Sequence, residues 1–290
     1  MIEITQAGLL TTVQDLGRPG YAHLGVPRSG ALDAPALKLA NQLAGNAADA
    51  AGLETTMRGC AFRTHVSTVV AVTGAPADIR VDGATAPFCA PLVLAPGSTV
   101  EIKPPRTGVR TYVAFAGGVV VPPVLGSRAT DTLSGLGPAP LRSGDQVPLG
   151  GCWQDPTILD TVRDRRTRWD EITLSISLGP RDDWFTDEAI GTLLGNAYAL
   201  SMKSNRVGAR LTGPSLTRAV AGELPSEGIV LGAVQVPADG QPLVFLADHP
   251  TTGGYPVIGV IDAADLPLLA QARPGAAVRF RQQGGHGPQR

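Results

Sequence analysis

Two stretches of the sequence gather the side chains that could do chemistry. Thr11 to Asp33 (TTVQDLGRPGYAHLGVPRSGALD) sets Gln14, Asp15, Arg18, Tyr21, His23, Arg28, Ser29 and Asp33 among glycines and prolines. Ser226 to Pro256 has the same character and carries Glu227, Gln235, Asp248, His249, Thr251, Thr252 and Tyr255. Glycine admits positive φ and close backbone approach, and proline pre-sets a turn, so both stretches read as folded loops that hold something. A further polar run, Ser204 to Leu211, adds Asn205 and Arg206. Together these residue types suit the capture of a small amide or carboxylate. Gln, Ser and Thr hydrogen-bond, Arg offers a planar fork, and Asp or Glu can move a proton. The competing reading for any single Asp, Ser or Thr is that its side chain satisfies its own turn.

Other chemistries lack their signatures. There is no G-x-x-x-x-G-K-[ST] loop, no G-x-G-x-x-G opening a helix after a strand, and no G-x-S-x-G elbow. His23, His65, His249 and His286 have no metal-ligand spacing, and no cysteine has a histidine neighbour that would mark a nucleophile. No metal site is expected.

The elements that must position these loops are short. Met1 to Leu10 alternates as an opening strand. Asp33 then caps a helix over about Ala34 to Ala44, with Pro35 in its first turn, where its missing N–H does no harm. From Leu53 to Leu149, apolar runs such as Val69 to Val72, Ile79 to Val81 and Val109 to Phe115 are broken by turn signals, including Asp82-Gly83. This spacing predicts a sandwich or barrel. Within it, Gly117 to Ser134, with Ser127, Arg128, Thr130 and Asp131, is a possible further wall of a site. Gly150 to Asp170, with its charged run Arg163 to Arg168, reads as a linker and a solvated surface. The second half begins on an alternating strand, Ile172 to Leu178. A helix capped by Thr186 follows, then strands over Tyr198 to Met202 and onwards, and a helical turn over Leu266 to Ala270.

Bulk properties narrow the partners. The 290 residues are 43% hydrophobic and 17% charged, with a net charge of -1, so no global field attracts nucleic acid. No apolar run approaches the roughly 20 residues of a membrane span. Cys60, Cys89 and Cys152 form no disulfide framework and no apolar leader follows Met1, so the cytoplasm is the expected compartment.

Several runs in fixed order carry a resemblance. They are L-L-T-T-V-Q-D-L-G-R-P-G-Y (Leu9 to Tyr21), G-V-P-R-S-G-A-L-D (Gly25 to Asp33), S-N-R-V-G-A-R-L (Ser204 to Leu211), S-E-G-I from Ser226, and A-D-H-P-T-T-G-G-Y-P (Ala247 to Pro256). With these the chain resembles the allophanate hydrolase subunit 2-like, or biotin-dependent carboxyltransferase, family, which includes the C subunit of 5-oxoprolinase and the KipI antagonist. The resemblance implies a mainly β protein of tandem cyclophilin-like β-barrels with a few short helices. The first barrel would span 1–150, the linker 151–170, the second barrel 171–282 and the tail 283–290.

It also implies a role as one subunit of an ATP-dependent 5-oxoprolinase that hydrolyses 5-oxo-L-proline to glutamate. The partners would be a subunit-1-like (KipI-like) chain and a third subunit, with ATP used in the assembled complex and the isolated chain inactive. Two alternatives stay open: the carboxyltransferase component of a urea carboxylase-type system, and a non-catalytic regulator that binds a KipI-like partner. Biotin is not expected on this chain, because Ser201 and Ser204 flank Met202-Lys203 where Ala and Met would stand in an acceptor segment. On this reading the loops of the two barrels face one cleft. Arg18 or Arg206 neutralises a carboxylate or activated phosphate, and Gln14, Gln235 and Thr252 hold the amide. Asp15, Glu227 or Asp248 moves protons, and Tyr21, Ser29, Asn205, Thr251 and Tyr255 complete the binding surface.

Overall fold

The first departure from the sequence reading is at Gly8, where the expected single opening strand breaks in two. Strand β1 covers Ile2–Gln6 and β2 covers Leu10–Gln14. Gly8 has φ +69°, and a Cβ there would lie 2.0 Å from the carbonyl oxygen of Gly59, so only glycine fits this turn. The strand therefore resumes through Thr11 to Gln14, the first part of what the sequence presents as a loop. The computed structural model describes residues 1–151, 169–222 and 224–283. Most of the expected linker, with its charged run and Cys152, and the tail beyond 283 lie outside the described residues.

The chain divides into two compact units, Met1–Arg18 with Ser29–Thr167, and Pro19–Arg28 with Arg168–Arg290. In the first, β3 (Gly52–Thr56), β4 (Ala61–Thr64), β5 (Thr68–Gly74), β6 (Ile79–Val81), β7 (Ala84–Ala86), β8 (Pro91–Leu94), β9 (Thr99–Ile102), β10 (Arg110–Phe115) and β11 (Gln146–Val147) join β1 and β2 in two sheets. Their orders are β11-β1-β4-β9-β6-β7 and β2-β3-β10-β5-β8. The Asp82-Gly83 turn joins β6 to β7 in the predicted hairpin, with positive φ at both residues.

Strand β10 shows how the core is built. Val113 and Phe115 point to one buried cluster with Val70, Val72, Phe62 and Leu53. Tyr112 and Ala114 point the other way, with Ala71, against Leu37, Ala40, Leu43 and Ala44. Those last residues belong to helix α1, Ala34–Leu43, and its short C-terminal extension. The small side chains at Ala71 and Ala114 let the helix approach the sheet. Full burial of Leu37 stabilises the contact by about 1.5–3 kcal/mol. As the sequence indicates, the Asp33 carboxylate caps α1, accepting from the Ala36 N–H at 3.1 Å.

The second unit is a closed barrel. It uses β12 (Glu171–Leu178), β13 (Ala197–Leu200), β14 (Gly208–Thr212), β16 (Ala233–Gln235), β17 (Leu243–Phe245), β19 (Val257–Ile261) and β20 (Ala277–Gln282), in the order β12-β19-β16-β17-β14-β13-β20. Strands β12 and β20 close it by parallel pairing from Glu171↔Ala277 to Ile176↔Gln282. The predicted alternation of β12 is realised, with Ile172, Leu174 and Ile176 buried. Strands β15 (Glu227–Gly228) and β18 (Thr252–Gly253) form a separate ribbon. Helix α2 (Asp187–Gly195) is capped by Thr186, as expected, and α3 covers Leu266–Gln271. The molecule is thus mainly β with few helices, as the sequence implies. Among the described residues, no helix is long and apolar enough to cross a membrane.

Candidate functional site

The opening segment is held against the Ser127–Asp131 stretch within the first unit. Asp15 does most of the holding. Its Oδ1 accepts from the Gly17 N–H at 2.8 Å and the Ser127 hydroxyl at 2.6 Å, and its Oδ2 accepts from the Arg128 N–H at 2.6 Å. Three hydrogen bonds to one carboxylate make it a clamp between two loops. Gln14 and Ser29 converge on the next carbonyl along, with Gln14 Nε2 donating to Thr130 O at 2.9 Å and Ser29 Oγ donating to the same atom at 3.0 Å. Arg18, 1% exposed, donates from Nε to Val124 O at 3.3 Å and from Nη2 to Ala129 O.

Three buried polar atoms of this wall find no partner among the described residues: Gln14 Oε1, Arg18 Nη1 and Thr130 Oγ1. Arg18 has no acidic partner among the described residues, so its charge is met by carbonyl dipoles alone. A buried N–H or oxygen left unpaired is costly, and such atoms mark places where a ligand can complete the set. Behind this wall lies a network the sequence reading missed. The Tyr112 hydroxyl donates to Glu54 Oε2 at 2.7 Å and accepts from the Asp33 N–H at 2.7 Å, while the Leu32 N–H also donates to Glu54 Oε2 at 3.0 Å. Arg110 Nε lies 3.5 Å from Glu54 Oε1. Burial, reinforced by the charges of Glu54 and Asp33, pushes the Tyr112 phenol well above its usual range, so it serves as a neutral bridge at the entry to α1.

In the second unit the predicted residues fall into three places. Arg206 and Asp248 are both buried and form a two-point fork, Nε to Oδ2 at 2.9 Å and Nη2 to Oδ1 at 3.0 Å. The backbone repeats the link, with the Asp248 N–H donating to Arg206 O at 3.1 Å. Neighbouring Asn205 is exposed and turns inward on its own chain, its Oδ1 accepting from the N–H groups of Val207 at 2.9 Å and Gly208 at 3.2 Å.

Glu227 on β15 is half-buried and forked by Arg181, with Nε 3.0 and 3.1 Å from its two oxygens and Nη2 also bonded. The hydrogen bonds from Arg181, and then its charge, hold the Glu227 carboxyl below its usual range, which makes it a weak base. Gln235 donates from Nε2 to Tyr255 O at 2.9 Å, and Thr251 O accepts from the Ile229 N–H at 2.9 Å. Thr252 and Tyr255 are exposed, and the Arg218 guanidinium carbon lies 5.8 Å from the Tyr255 ring centroid. Tyr21 is half-buried ahead of a single turn of 3-10 helix, Ala22–Leu24, and its carbonyl accepts from the Leu24 N–H at 2.9 Å.

The sequence reading missed Arg181, Arg218 and the part of Thr130. Thr130 stands in a segment already marked by its polar turn residues. Nothing in the sequence couples Arg181 to Glu227 or Arg218 to Tyr255. Among the described residues there is no cluster of His, Cys, Asp and Glu able to hold a metal ion.

The described residues thus define a mainly β protein of two units whose loops carry polar side chains in fixed hydrogen bonds. More specifically, the chain belongs to the family described as carboxyltransferase domain, subdomain A and B, whose match spans residues 24–282. It is 38% identical over 285 residues to the C subunit of 5-oxoprolinase from Escherichia coli (strain K12), covering 97% of this chain and 91% of that protein. It is 32% identical to urea amidolyase of Saccharomyces cerevisiae over 96% of this chain but only 16% of that protein. Among solved structures, the crystal structure of TTHA0988 aligns with a TM-score of 0.87 at 36% identity, covering 97% of this chain and 55% of that one. This chain therefore spans about half of that solved chain and a small part of the urea amidolyase.

Proposed function

We propose that this chain is the C subunit of an ATP-dependent 5-oxoprolinase, a cytoplasmic complex in which it works with a subunit-1-like (KipI-like) chain and a third subunit. The observation that carries the reading is the near end-to-end likeness to the Escherichia coli C subunit, at 38% identity over 91% of that protein. The reaction adds water to the lactam carbonyl of 5-oxo-L-proline and breaks the C–N bond to give glutamate. Its free energy comes from ATP in the assembled complex. A lactam needs an acceptor for its N–H and a donor for its carbonyl oxygen, which gains charge as water adds. Among the described residues Gln14 Oε1 is a buried acceptor without a partner, and Arg18 Nη1 a buried donor without one. Arg206, forked onto Asp248, is less suited to that task.

The triphosphate fits this chain poorly at the basic cavity of the first unit, where Lys103 and Arg106 already pair with Glu101 and Asp78. Co-expression with the partner chains and an assay of 5-oxoproline-dependent ATP hydrolysis tests the reading. Turnover should need every subunit, and Arg18→Lys should lower kcat/KM by about 10²–10³-fold, the usual loss of one oxyanion donor. The likeness to urea amidolyase supports a second reading, carboxyl transfer from biotin to urea, another small amide. Activity with urea and carboxybiotin, and none with 5-oxoproline, would replace the first reading by the second.

A further inference from the structure

Two cavities of similar volume, each about 380 Å³, lie one in each unit, a size suited to a small ligand. In the first unit the cations beside Arg80 are spoken for, since Lys103 is paired with Glu101 and Arg106 with Asp78. The cavity of the second unit has a different electrostatic character. Its walls are the 215–222 loop with Ala238 and Gly240, and among the described residues they include one cation, Arg218, and no acidic side chain.

The loop is fixed at three points. The Leu216 N–H donates to Gly240 O at 3.0 Å, Ser215 Oγ to Asp239 O at 3.3 Å, and the Ala219 N–H to Trp184 O at 2.8 Å. Arg218 is fixed in turn, with Nη2 donating to Val236 O at 2.7 Å and the guanidinium lying over the Tyr255 ring. Tyr255 is itself set by its neighbours, because Gln235 Nε2 holds its carbonyl at 2.9 Å and the Val236 N–H donates to Pro256 O at 3.0 Å. The end of β16 thus orients both members of the stack. Within this frame and among the described residues, Arg218 Nε is buried without an acceptor and the side chain has no ion pair.

We propose that this cavity binds the carboxylate of a small organic monoacid, with Arg218 as its charge partner and Tyr255 as the aromatic support of the guanidinium. An oriented guanidinium with spare N–H groups matches a planar carboxylate. A single cation balances a single negative charge, which selects a monocarboxylate over a phosphate dianion or a polyphosphate. Val220 supplies an apolar wall and Thr217 a hydroxyl, as an acid with a short carbon skeleton requires. This site is separate from the Gln14–Arg18 wall and does not depend on the reaction proposed above.

The test is a titration of the full-length chain, followed through the ¹H–¹⁵N resonances of arginine Nε–H groups, with the Arg218 signal identified by its loss in Arg218→Lys. Acetate, 5-oxo-L-proline and inorganic phosphate are added separately at constant ionic strength. Saturable shifts of the Arg218 signal are expected with the two carboxylates, tighter than with phosphate. Titrated by calorimetry beside the unsubstituted chain, Arg218→Gln should bind the carboxylates about tenfold or more weakly, the weight of a charge-assisted hydrogen bond. No saturable shift, tighter binding of phosphate, or unchanged affinity in folded Arg218→Gln would overturn the proposal. If Arg218→Gln does not fold, the titration of the unsubstituted chain decides alone.

Discussion

Arg206 and Arg18 are each 1% exposed, one in each unit, and they are satisfied by opposite means. Arg206 meets a carboxylate, the fork of Asp248, and the backbones of the two residues are joined as well. Among the described residues Arg18 meets only carbonyl oxygens, Val124 O and Ala129 O, and keeps one nitrogen without a partner. Removing a guanidinium from water costs several kcal/mol, and an opposite charge in good geometry offsets more of that cost than a pair of dipoles does. Arg206 and Asp248 therefore form a self-contained pair in which neither charge is available without breaking the other. Arg18 is the better place for an incoming negative charge or a polarised carbonyl. Burial and residue type are the same in the two cases; the partners decide what each can do.

The largest effect that would sharpen this contrast comes from breaking the pair. Asp248→Ala leaves Arg206 buried and alone, and should lower stability by about 3–5 kcal/mol in urea unfolding of the whole chain. Arg206→Met combined with Asp248→Leu should recover most of the loss, because no uncompensated charge is left behind. Next in size is Arg18→Met. It gives up the bonds to two carbonyls but also removes an unbalanced charge, so a loss of about 1–3 kcal/mol is expected. A loss as large as that of Asp248→Ala would break the comparison and make Arg18 a structural clamp.

The smallest effect belongs to a third arginine, Arg181, whose pair with Glu227 is partly exposed. The folded-state pKa of Glu227 is depressed, so its contribution is present above the ordinary value of 4.5 and is lost as pH falls through the lower folded value. Glu227→Gln should therefore unfold at a slightly lower temperature than the unsubstituted chain at neutral pH, with the two melting curves converging in acid. A gap that persists at pH 2 would show that the change acts through something other than this carboxylate.

Local signals in the sequence were legible because their causes are local. Asp33 and Thr186 cap the helices that follow them, Asp82-Gly83 turns a hairpin, and β12 alternates as it must on a barrel wall. Gln14, Asp15, Arg18 and Ser29 could be picked out as a group, and all four touch the 124–130 stretch. What each touches was not legible. Asp15 has the composition of a proton carrier and the bonding of a clamp, and only the distant Ser127 and Arg128 reveal the difference. The same holds for Arg218, whose place over Tyr255 depends on β16 and on a loop many residues away. The break at Gly8 escaped notice because its cause, the Gly59 carbonyl, belongs to another turn.

The grouping of Pro19–Arg28 with the second unit bears on how the protein is made. The ribosome releases this segment before Glu171 and the rest of the barrel exist, so its contacts with the second unit wait until the strands between Glu171 and Gln282 have emerged. The contacts of highest sequence separation are the slowest to form, because the intervening chain must first be closed into a loop. A gene cut at the linker would also yield a carboxy-terminal fragment lacking these residues.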